Sequence, residues 1–396
     1  MVLKVRGYTR FLTHSKSSPF RAILYNASSE LRNRKVFKMI SFLKKHRKYI
    51  AAAAALMILS LPALYSSVMP TVTSYLSPAG DAAVPREKPS ALRPGDTIGI
   101  VAPGTHGGMT DYNQAIHFLE EMGYKVKLAP SVTDDYGYLA GSDEERAADI
   151  NNFFKDDSVK AIVCLRGGYG SARLLSLLDY SMIEKHPKLF VGFSDVTALH
   201  AALGEKSHLV TIHGPMLSNF KGENFTPFTL YNFENGLTGS LPTGEIRMPQ
   251  GTSLKTVVPG KASGRLIGGN LTVVVSLCGT PYELDGKGDI LVLEDTGEDP
   301  YRIDRLMQQL WQNGLLKRVS AIAFGDFYSP SPKNGEFSTD QVLDYYAKLS
   351  GKPVIRGLPI GHGANNLFLP LGVKATIDTK EDGSATLSID ENYLKQ

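Results

Sequence analysis

The stretch Ala161-Ile-Val-Cys-Leu-Arg-Gly-Gly-Tyr-Gly-Ser-Ala-Arg-Leu-Leu175 decides how the folded body of this chain is organised. Its first five residues are apolar without interruption, which is typical of a β-strand that is buried on both faces. Glycines then occupy positions 167, 168 and 170, and glycine permits positive φ angles and a close approach of the backbone. The pattern predicts a buried strand that turns sharply at the glycines into a helix starting near Ser171.

Strand-like and helix-like segments alternate on both sides of this corner. Apolar runs predict strands at 96–104, 125–128, 160–165, 189–192 and 209–213. Helical spacing predicts helices at 110–122, 142–154 and 196–203, and the second begins with a capping box from Ser142 to Glu145. The alternation predicts an N-terminal α/β domain over 91–216, Rossmann-like, with a parallel sheet covered by helices.

The texture of the sequence changes after about residue 216. Residues 217–262 are rich in Asn, Gly, Thr and Pro and predict a connection with hairpins. Beyond them, strands are predicted at 273–277, 289–293 and 321–324, a helix at 304–313, and a terminal hairpin from 375–377 and 385–389. These elements predict a second, mixed α/β domain over 263–396.

Composition and charge exclude several classes of protein. The chain has 396 residues, of which 42% are hydrophobic and 21% charged, and this is the profile of a globular protein. Its two cysteines, Cys164 and Cys278, are too far apart for a metal-binding CxxC pair. Because the positive charge is concentrated before residue 49, the body is mildly acidic and has no electrostatic footprint for nucleic acid.

The first ninety residues differ in character from the rest. Residues 1–48 form a basic leader, and the uncharged, apolar segment 49–69 that follows predicts an export signal or membrane anchor. Residues 70–90 contain several prolines and serines and predict a linker. Met39 is an alternative start. We therefore expect contact with the cytoplasmic membrane and a periplasmic or membrane-anchored, outward-facing body, with a cytoplasmic location as the alternative.

The predicted corner at Ser171 has the geometry of a serine nucleophile lifted above a sheet edge. A phosphate-binding turn and a simple helix cap are alternative interpretations of the same glycines. A nucleophilic serine needs a base and an acid that orients the base. The candidate bases are His362, which lies between two glycines, and His213 at a strand end. The candidate acids are Glu294 and Asp295 at the end of a predicted buried strand.

A series of short motifs resembles the serine LD-carboxypeptidases, which include muramoyltetrapeptide carboxypeptidases and microcin C immunity peptidases. The motifs, in chain order, are Gly95-Asp-Thr-Ile-Gly-Ile-Val-Ala-Pro103, Arg166-Gly-Gly-Tyr-Gly-Ser171, Gly192-Phe-Ser-Asp195, His213-Gly-Pro215, Gly268-Gly-Asn-Leu271, Leu293-Glu-Asp295, Tyr301-Arg-Ile-Asp304, Gly361-His362 and Leu369-Pro-Leu-Gly372. The resemblance implies a Ser-Glu-His triad, which it places on Ser171, Glu294 and His362. It also implies a homodimer with the serine on the N-terminal domain.

The resemblance implies an enzyme that releases the terminal D-Ala from murein tetrapeptides without a metal or cofactor. In this reading the backbone N–H groups of Gly168 and Ala172 form the oxyanion hole. Tyr169, Asp195 and His213 are expected to contact the substrate. Two alternatives stay open: a microcin C-type hydrolase of peptidyl adenylates, and a murein-binding module without catalysis.

Overall fold

The computed structural model describes residues 85–107, 112–220, 225–333 and 335–395. The predicted basic leader, the apolar segment 49–69 and most of the predicted linker lie outside these residues. Within the described ranges, no helix has both the length and the apolar character needed to cross a membrane.

The first domain is built on a six-stranded sheet with the strand order β12-β5-β4-β3-β1-β2. Its parallel strands are β1 (Thr97–Val101), β2 (Lys125–Leu128), β3 (Val159–Cys164), β4 (Leu189–Gly192) and β5 (Thr211–His213). Their side chains are almost wholly buried apart from those of edge strand β2, as the continuous apolar runs predict. At the other edge β12 (Leu369–Leu371) pairs antiparallel with β5, so a late segment of the chain completes the first sheet.

Four helices connect the strands of this sheet. They are α1 (Asn113–Glu121), α2 (Asp143–Lys155), α3 (Tyr180–Lys185) and α4 (Thr197–Ser207). The predicted capping box is confirmed, because the Ser142 side chain accepts the Glu145 N–H while the Glu145 carboxylate accepts the Ser142 N–H. The segment after Gly170 forms only a short 3-10 helix, Ser171–Leu177, where the sequence predicts an α-helix.

The second domain contains an eight-stranded mixed sheet with the order β6-β14-β13-β8-β9-β10-β11-β7. Its strands are β6 (Gly244–Glu245), β7 (Lys255–Val258), β8 (Gly260–Asn270), β9 (Ile290–Thr296), β10 (Ala321–Tyr328), β11 (Val354–Arg356), β13 (Lys374–Thr379) and β14 (Ala385–Ile389). Strands β8 to β11 run parallel, and β13 with β14 is the predicted terminal hairpin. An α/β architecture with mixed sheets in two domains is therefore confirmed.

Five further helices belong to this half of the described chain. They are α5 (Pro227–Thr238), α6 (Leu271–Ser276), α7 (Pro300–Gln312), α8 (Leu315–Arg318) and α9 (Thr339–Ser350). The sequence prediction missed α5 inside the predicted connection, although Thr226 caps its start, Pro227 occupies its first turn and Gly239 ends it in the left-handed conformation.

The predicted strand at 273–277 is wrong, because residues 273–276 belong to helix α6 and Leu277 caps its C-terminal end. The Asn270 side chain accepts the N–H of Val273, and the Asp295 carboxylate accepts the N–H of Thr272 at 2.9 Å. One carboxamide and one carboxylate thus accept backbone N–H groups in the first turn of the helix. These hydrogen bonds outweigh the strand preference of three consecutive valines.

Candidate active site

A strained turn places Ser194 at the carboxyl end of strand β4. The strand ends at Gly192, and Ser194 follows with φ 63°, a left-handed conformation that is unusual for a residue other than glycine. A Cβ atom on Gly192 would lie 2.8 Å from Val196, so the turn is tight enough to require glycine there. The chain then enters a short 3-10 helix, Ser194–Val196, and helix α4. This strand–turn–helix geometry is that of a nucleophile elbow.

Three side chains from the two domains form one hydrogen-bonded chain. His362 Nε2 lies 3.0 Å from Ser194 Oγ, and His362 Nδ1 lies 2.8 Å from Glu294 Oε2. Glu294 lies on β9 and is fully buried, whereas the imidazole lies in the loop after β11 and is partly exposed. Because the carboxylate accepts the proton of Nδ1, the lone pair of Nε2 faces the serine hydroxyl.

Local features hold the imidazole against the carboxylate. Gly361 has φ +116°, and a Cβ atom at this position would lie 2.7 Å from Glu294 Oε2. The ring of Phe193 meets the ring of His362 edge-on, with 5.0 Å between centroids. Asp326 on β10 lies close to Gly363; burial raises the pKa of Asp326 to about 6, and the negative charge of Glu294 adds to the shift. The loop around His362 is therefore packed against acidic strand ends.

The structure contradicts the placement of Ser171 in the triad. The Ser171 side chain is fully buried, and its backbone N–H donates to Asp195 Oδ2 at 2.9 Å. Among the described contacts, the serine that is hydrogen-bonded to His362 is Ser194. The glycine-rich turn before Ser171 is held from below by the buried guanidinium of Arg146, which donates to the carbonyl oxygen of Gly170 at 3.2 Å. Ser171 is thus a structural residue at a second strand end.

The glycine-rich turn before Ser171 nevertheless lies next to Ser194. A Cβ atom on Gly167 would lie 3.1 Å from Ser194 Oγ and 3.5 Å from the backbone nitrogen of Asp195. Gly168 has φ +109°, and a Cβ atom there would lie 2.2 Å from Thr105 Oγ1, so glycine is required. Gly168 lines the pocket, and its role in the oxyanion hole stays a prediction, whereas Ala172 follows the buried Ser171, is exposed and does not line the pocket. The predicted pairing of Gly168 with Ala172 in an oxyanion hole therefore fails at Ala172.

The structure places the three predicted substrate-binding residues, Tyr169, Asp195 and His213, in different environments. Asp195 is buried and bonded to Ser171, and burial raises its pKa. His213 is fully buried behind Phe193, and burial lowers its pKa to about 3, so the side chain of neither residue reaches the pocket as a substrate ligand. Tyr169 is exposed and packs against Tyr138, outside the pocket lining, and its contact with substrate stays a prediction.

A signal for Ser194 was present in the sequence. The motif Gly192-Phe-Ser-Asp195 follows a predicted strand and precedes a predicted helix, as the elbow requires. It contains the first half of a Gly-x-Ser-x-Gly pattern, with valine in place of the final glycine. The larger number of glycines before Ser171 favours the strand-to-helix turn at Ser171 over the correct one at Ser194.

An open pocket of about 380 Å³ lies over the serine and the imidazole. The residues that line it are Tyr112, Arg166, Gly167, Gly168, Phe193, Ser194, Met216, Ser218, Asn219 and His362. In the part of the chain that the structure describes, no group of three or more His, Cys, Asp or Glu side chains is arranged to hold a metal ion. The elbow, the triad and the pocket define a serine hydrolase.

Comparison with known proteins identifies the family. Residues 98–214 match the LD-carboxypeptidase N-terminal domain, and residues 263–377 match the LD-carboxypeptidase C-terminal domain. The chain is 42% identical over 299 residues to a probable murein peptide carboxypeptidase of Bacillus subtilis, covering 74% of this chain and 92% of the relative. The chain therefore belongs to the LD-carboxypeptidase family and is a serine-type hydrolase of peptide bonds.

Two solved structures support this assignment. Muramoyltetrapeptide carboxypeptidase from Oxalobacter formigenes superposes with a TM-score of 0.66 at 33% identity, over 74% of this chain and 99% of the other. The microcin C7 self-immunity protein MccF, in complex with aspartyl sulfamoyl adenosine, superposes with a TM-score of 0.72 at 27% identity, over 78% of this chain and all of the other.

Proposed function

We propose that the enzyme cuts the bond between the L-centre of the diamino acid and the terminal D-Ala of murein tetrapeptides, with Ser194 as the nucleophile. The observation that carries this proposal is the hydrogen-bonded chain from Ser194 through His362 to Glu294. The similarity to a murein peptide carboxypeptidase supports the choice of substrate.

The chemistry follows from the positions of these atoms. His362 Nε2 accepts the hydroxyl proton as Ser194 Oγ attacks the scissile carbonyl carbon, and it then gives that proton to the amine of the leaving D-Ala. Glu294 holds the ring orientation and stabilises the imidazolium. Water, deprotonated by the same imidazole, hydrolyses the ester that remains on Ser194 and releases the tripeptide.

We propose that two backbone N–H groups stabilise the oxyanion. The N–H of Asp195 follows the serine directly at the start of a helical segment, and Gly168 on the glycine-rich turn lines the same pocket as the serine. We propose that Asp195 takes the role that the sequence had suggested for Ala172. Each such donor contributes a factor of about 10²–10³ to the rate.

Two serine variants test the proposal. Purified wild type should convert L-Ala-D-Glu-meso-diaminopimelate-D-Ala to tripeptide and D-Ala, followed by mass spectrometry. Ser194→Ala should abolish the conversion, and Ser171→Ala is the matched control because its hydroxyl lies outside the pocket. Full activity of Ser194→Ala, or loss of activity only in Ser171→Ala, would refute the assignment.

The structural similarity to MccF favours one alternative substrate class, an aminoacyl or peptidyl adenylate. The single tryptophan of the chain, Trp311, lies on α7 beneath Lys317 and does not line the pocket, so it offers no stacking surface for a base there. Assaying aspartyl sulfamoyl adenosine beside the tetrapeptide separates the two. Binding of tetrapeptide without turnover would instead indicate a murein-binding module.

The cellular location is a separate proposal. We propose that the basic leader and the apolar segment 49–69 export or anchor the body on the outer side of the cytoplasmic membrane. Alkaline phosphatase fused after Pro89 should be active in intact cells, and β-galactosidase fused at the same point should be inactive. The reverse pattern would place the enzyme inside the cell.

We also propose a homodimer, on the resemblance to the family. Analytical ultracentrifugation of the purified body should give twice the mass of one chain, and a single species of the chain mass would overturn this.

A further inference from the structure

Arg166 gives the pocket over Ser194 a permanent positive charge. It is the only lysine or arginine among the described residues that line the pocket, and no aspartate or glutamate lines it. Its neighbours there are mostly small, apolar or uncharged polar residues. Among the described lining residues, a ligand group that enters this pocket therefore meets one guanidinium and no carboxylate.

The guanidinium of Arg166 has little to hold it in the described structure. Its one hydrogen bond, from Nη1 to the carbonyl oxygen of His106, is 3.5 Å long, at the limit of a useful contact. Neighbouring arginines differ: Arg173 pairs with Asp143 at 2.8 Å, and Arg146 is buried among carbonyl oxygens. Because the described residues give this half-buried guanidinium no carboxylate partner, its N–H groups are available to bind an incoming planar anion in pairs.

The position of Arg166 fits the reaction proposed above. It directly precedes Gly167, which borders Ser194 Oγ. In a substrate cut at its last peptide bond, the terminal carboxylate carbon lies three bonds from the scissile carbonyl carbon, within about 4 Å. We propose that Arg166 binds the free α-carboxylate of the terminal D-residue and so makes the enzyme a carboxypeptidase. This inference rests on the proposed function.

A carboxylate can also come from the side chain of meso-diaminopimelate, so the test varies the two carboxylates separately. Four tetrapeptides are compared, with meso-diaminopimelate or L-Lys at the third position and with a free carboxylate or a carboxamide at the C-terminus. Tripeptide formation is measured by chromatography, because all acid–amide pairs give the same product. Each tetrapeptide is assayed with four proteins: wild type, Arg166→Gln, Arg166→Lys and the surface control Arg173→Gln.

Loss of a charge-assisted hydrogen bond predicts that wild type prefers the acid over the amide by about 10- to 150-fold in kcat/KM. In Arg166→Gln this preference should fall to near unity for both third residues, mainly through slower cleavage of the acid. Arg166→Lys should keep part of it, and Arg173→Gln all of it. If Arg166 had a purely structural role, its substitution would lower kcat/KM equally for the acid and the amide, and the acid-to-amide ratio would not change.

Three results would overturn the inference: no preference for the acid in wild type, an unchanged preference in Arg166→Gln, or an effect confined to the diaminopimelate peptides, which would assign Arg166 to the side-chain carboxylate. Absence of cleavage of every tetrapeptide by wild type would instead overturn the proposed function, and the inference with it.

Discussion

Replacing Glu294 by Gln tests whether a buried charge, and not only a hydrogen bond, drives the reaction. The side chain is fully buried on β9, and its Oε2 lies 2.8 Å from His362 Nδ1. Its other oxygen, Oε1, has no hydrogen-bond partner among the described residues. Glutamine has the same shape, so the variant should stay folded at the assay temperature while losing the negative charge.

The size of the effect follows from the geometry. An imidazolium and a carboxylate whose charge centres are about 4 Å apart interact by about 4 kcal/mol at an effective dielectric constant of about 20. Without the charge, the imidazolium in the transition state loses this stabilisation, which corresponds to about a 10³-fold drop in kcat. An amide nitrogen facing Nδ1 would also favour the tautomer with its proton on Nε2, which cannot accept the serine proton.

The assay is D-Ala release coupled to D-amino acid oxidase, with thermal unfolding measured in parallel. Glu298→Gln is the matched control, because Glu298 makes only a 3.5 Å surface ion pair with Arg302 and should change the rate by less than about fivefold. If folded Glu294→Gln keeps more than about a tenth of wild-type kcat, a charge interaction of this size is refuted.

Three further predictions concern the surroundings of the triad. Gly168→Ala places a Cβ atom 2.2 Å from Thr105 Oγ1 at φ +109°, and the displaced backbone should lower kcat by about 10²-fold or more in the same assay; wild-type turnover would exclude Gly168 from the oxyanion hole. Arg146→Met leaves the carbonyl oxygens of Pro103 and Gly141 without their side-chain donor, and urea unfolding should show a loss of about 3 kcal/mol or more. Asp326 has a pKa raised to about 6 in the folded state, so the native state binds more protons between about pH 4 and 6. The free energy of unfolding should therefore fall as the pH rises through this window. In Asp326→Asn the free energy of unfolding should depend less on pH. An identical pH profile in the variant would contradict the raised pKa of Asp326.

Local patterns were sufficient for most of the first domain. Uninterrupted apolar runs predicted strands such as Leu189–Gly192, because a strand buried on both faces leaves no room for polar residues. The capping box at Ser142 predicted the start of α2 correctly, since both of its hydrogen bonds form within four consecutive residues. At α6 the prediction failed because a distant residue, Asp295, supplies the carboxylate that caps the first turn of the helix.

The choice between the two serines likewise depends on a contact from a distant residue and not on the local sequence. Ser171 and Ser194 both follow a buried strand and a glycine, so each has the local sequence of a nucleophile corner. What separates them is the imidazole of His362, which lies 168 positions after Ser194 and reaches it only because the loop after β11 in the second domain lies at the carboxyl end of β4. The sequence alone determined the α/β class, the two domains, the family and the pairing of an acid with a histidine. Only the tertiary structure decided which serine that histidine meets, because a contact between residues so far apart depends on how the two sheets pack and leaves no trace in the spacing of neighbouring residues.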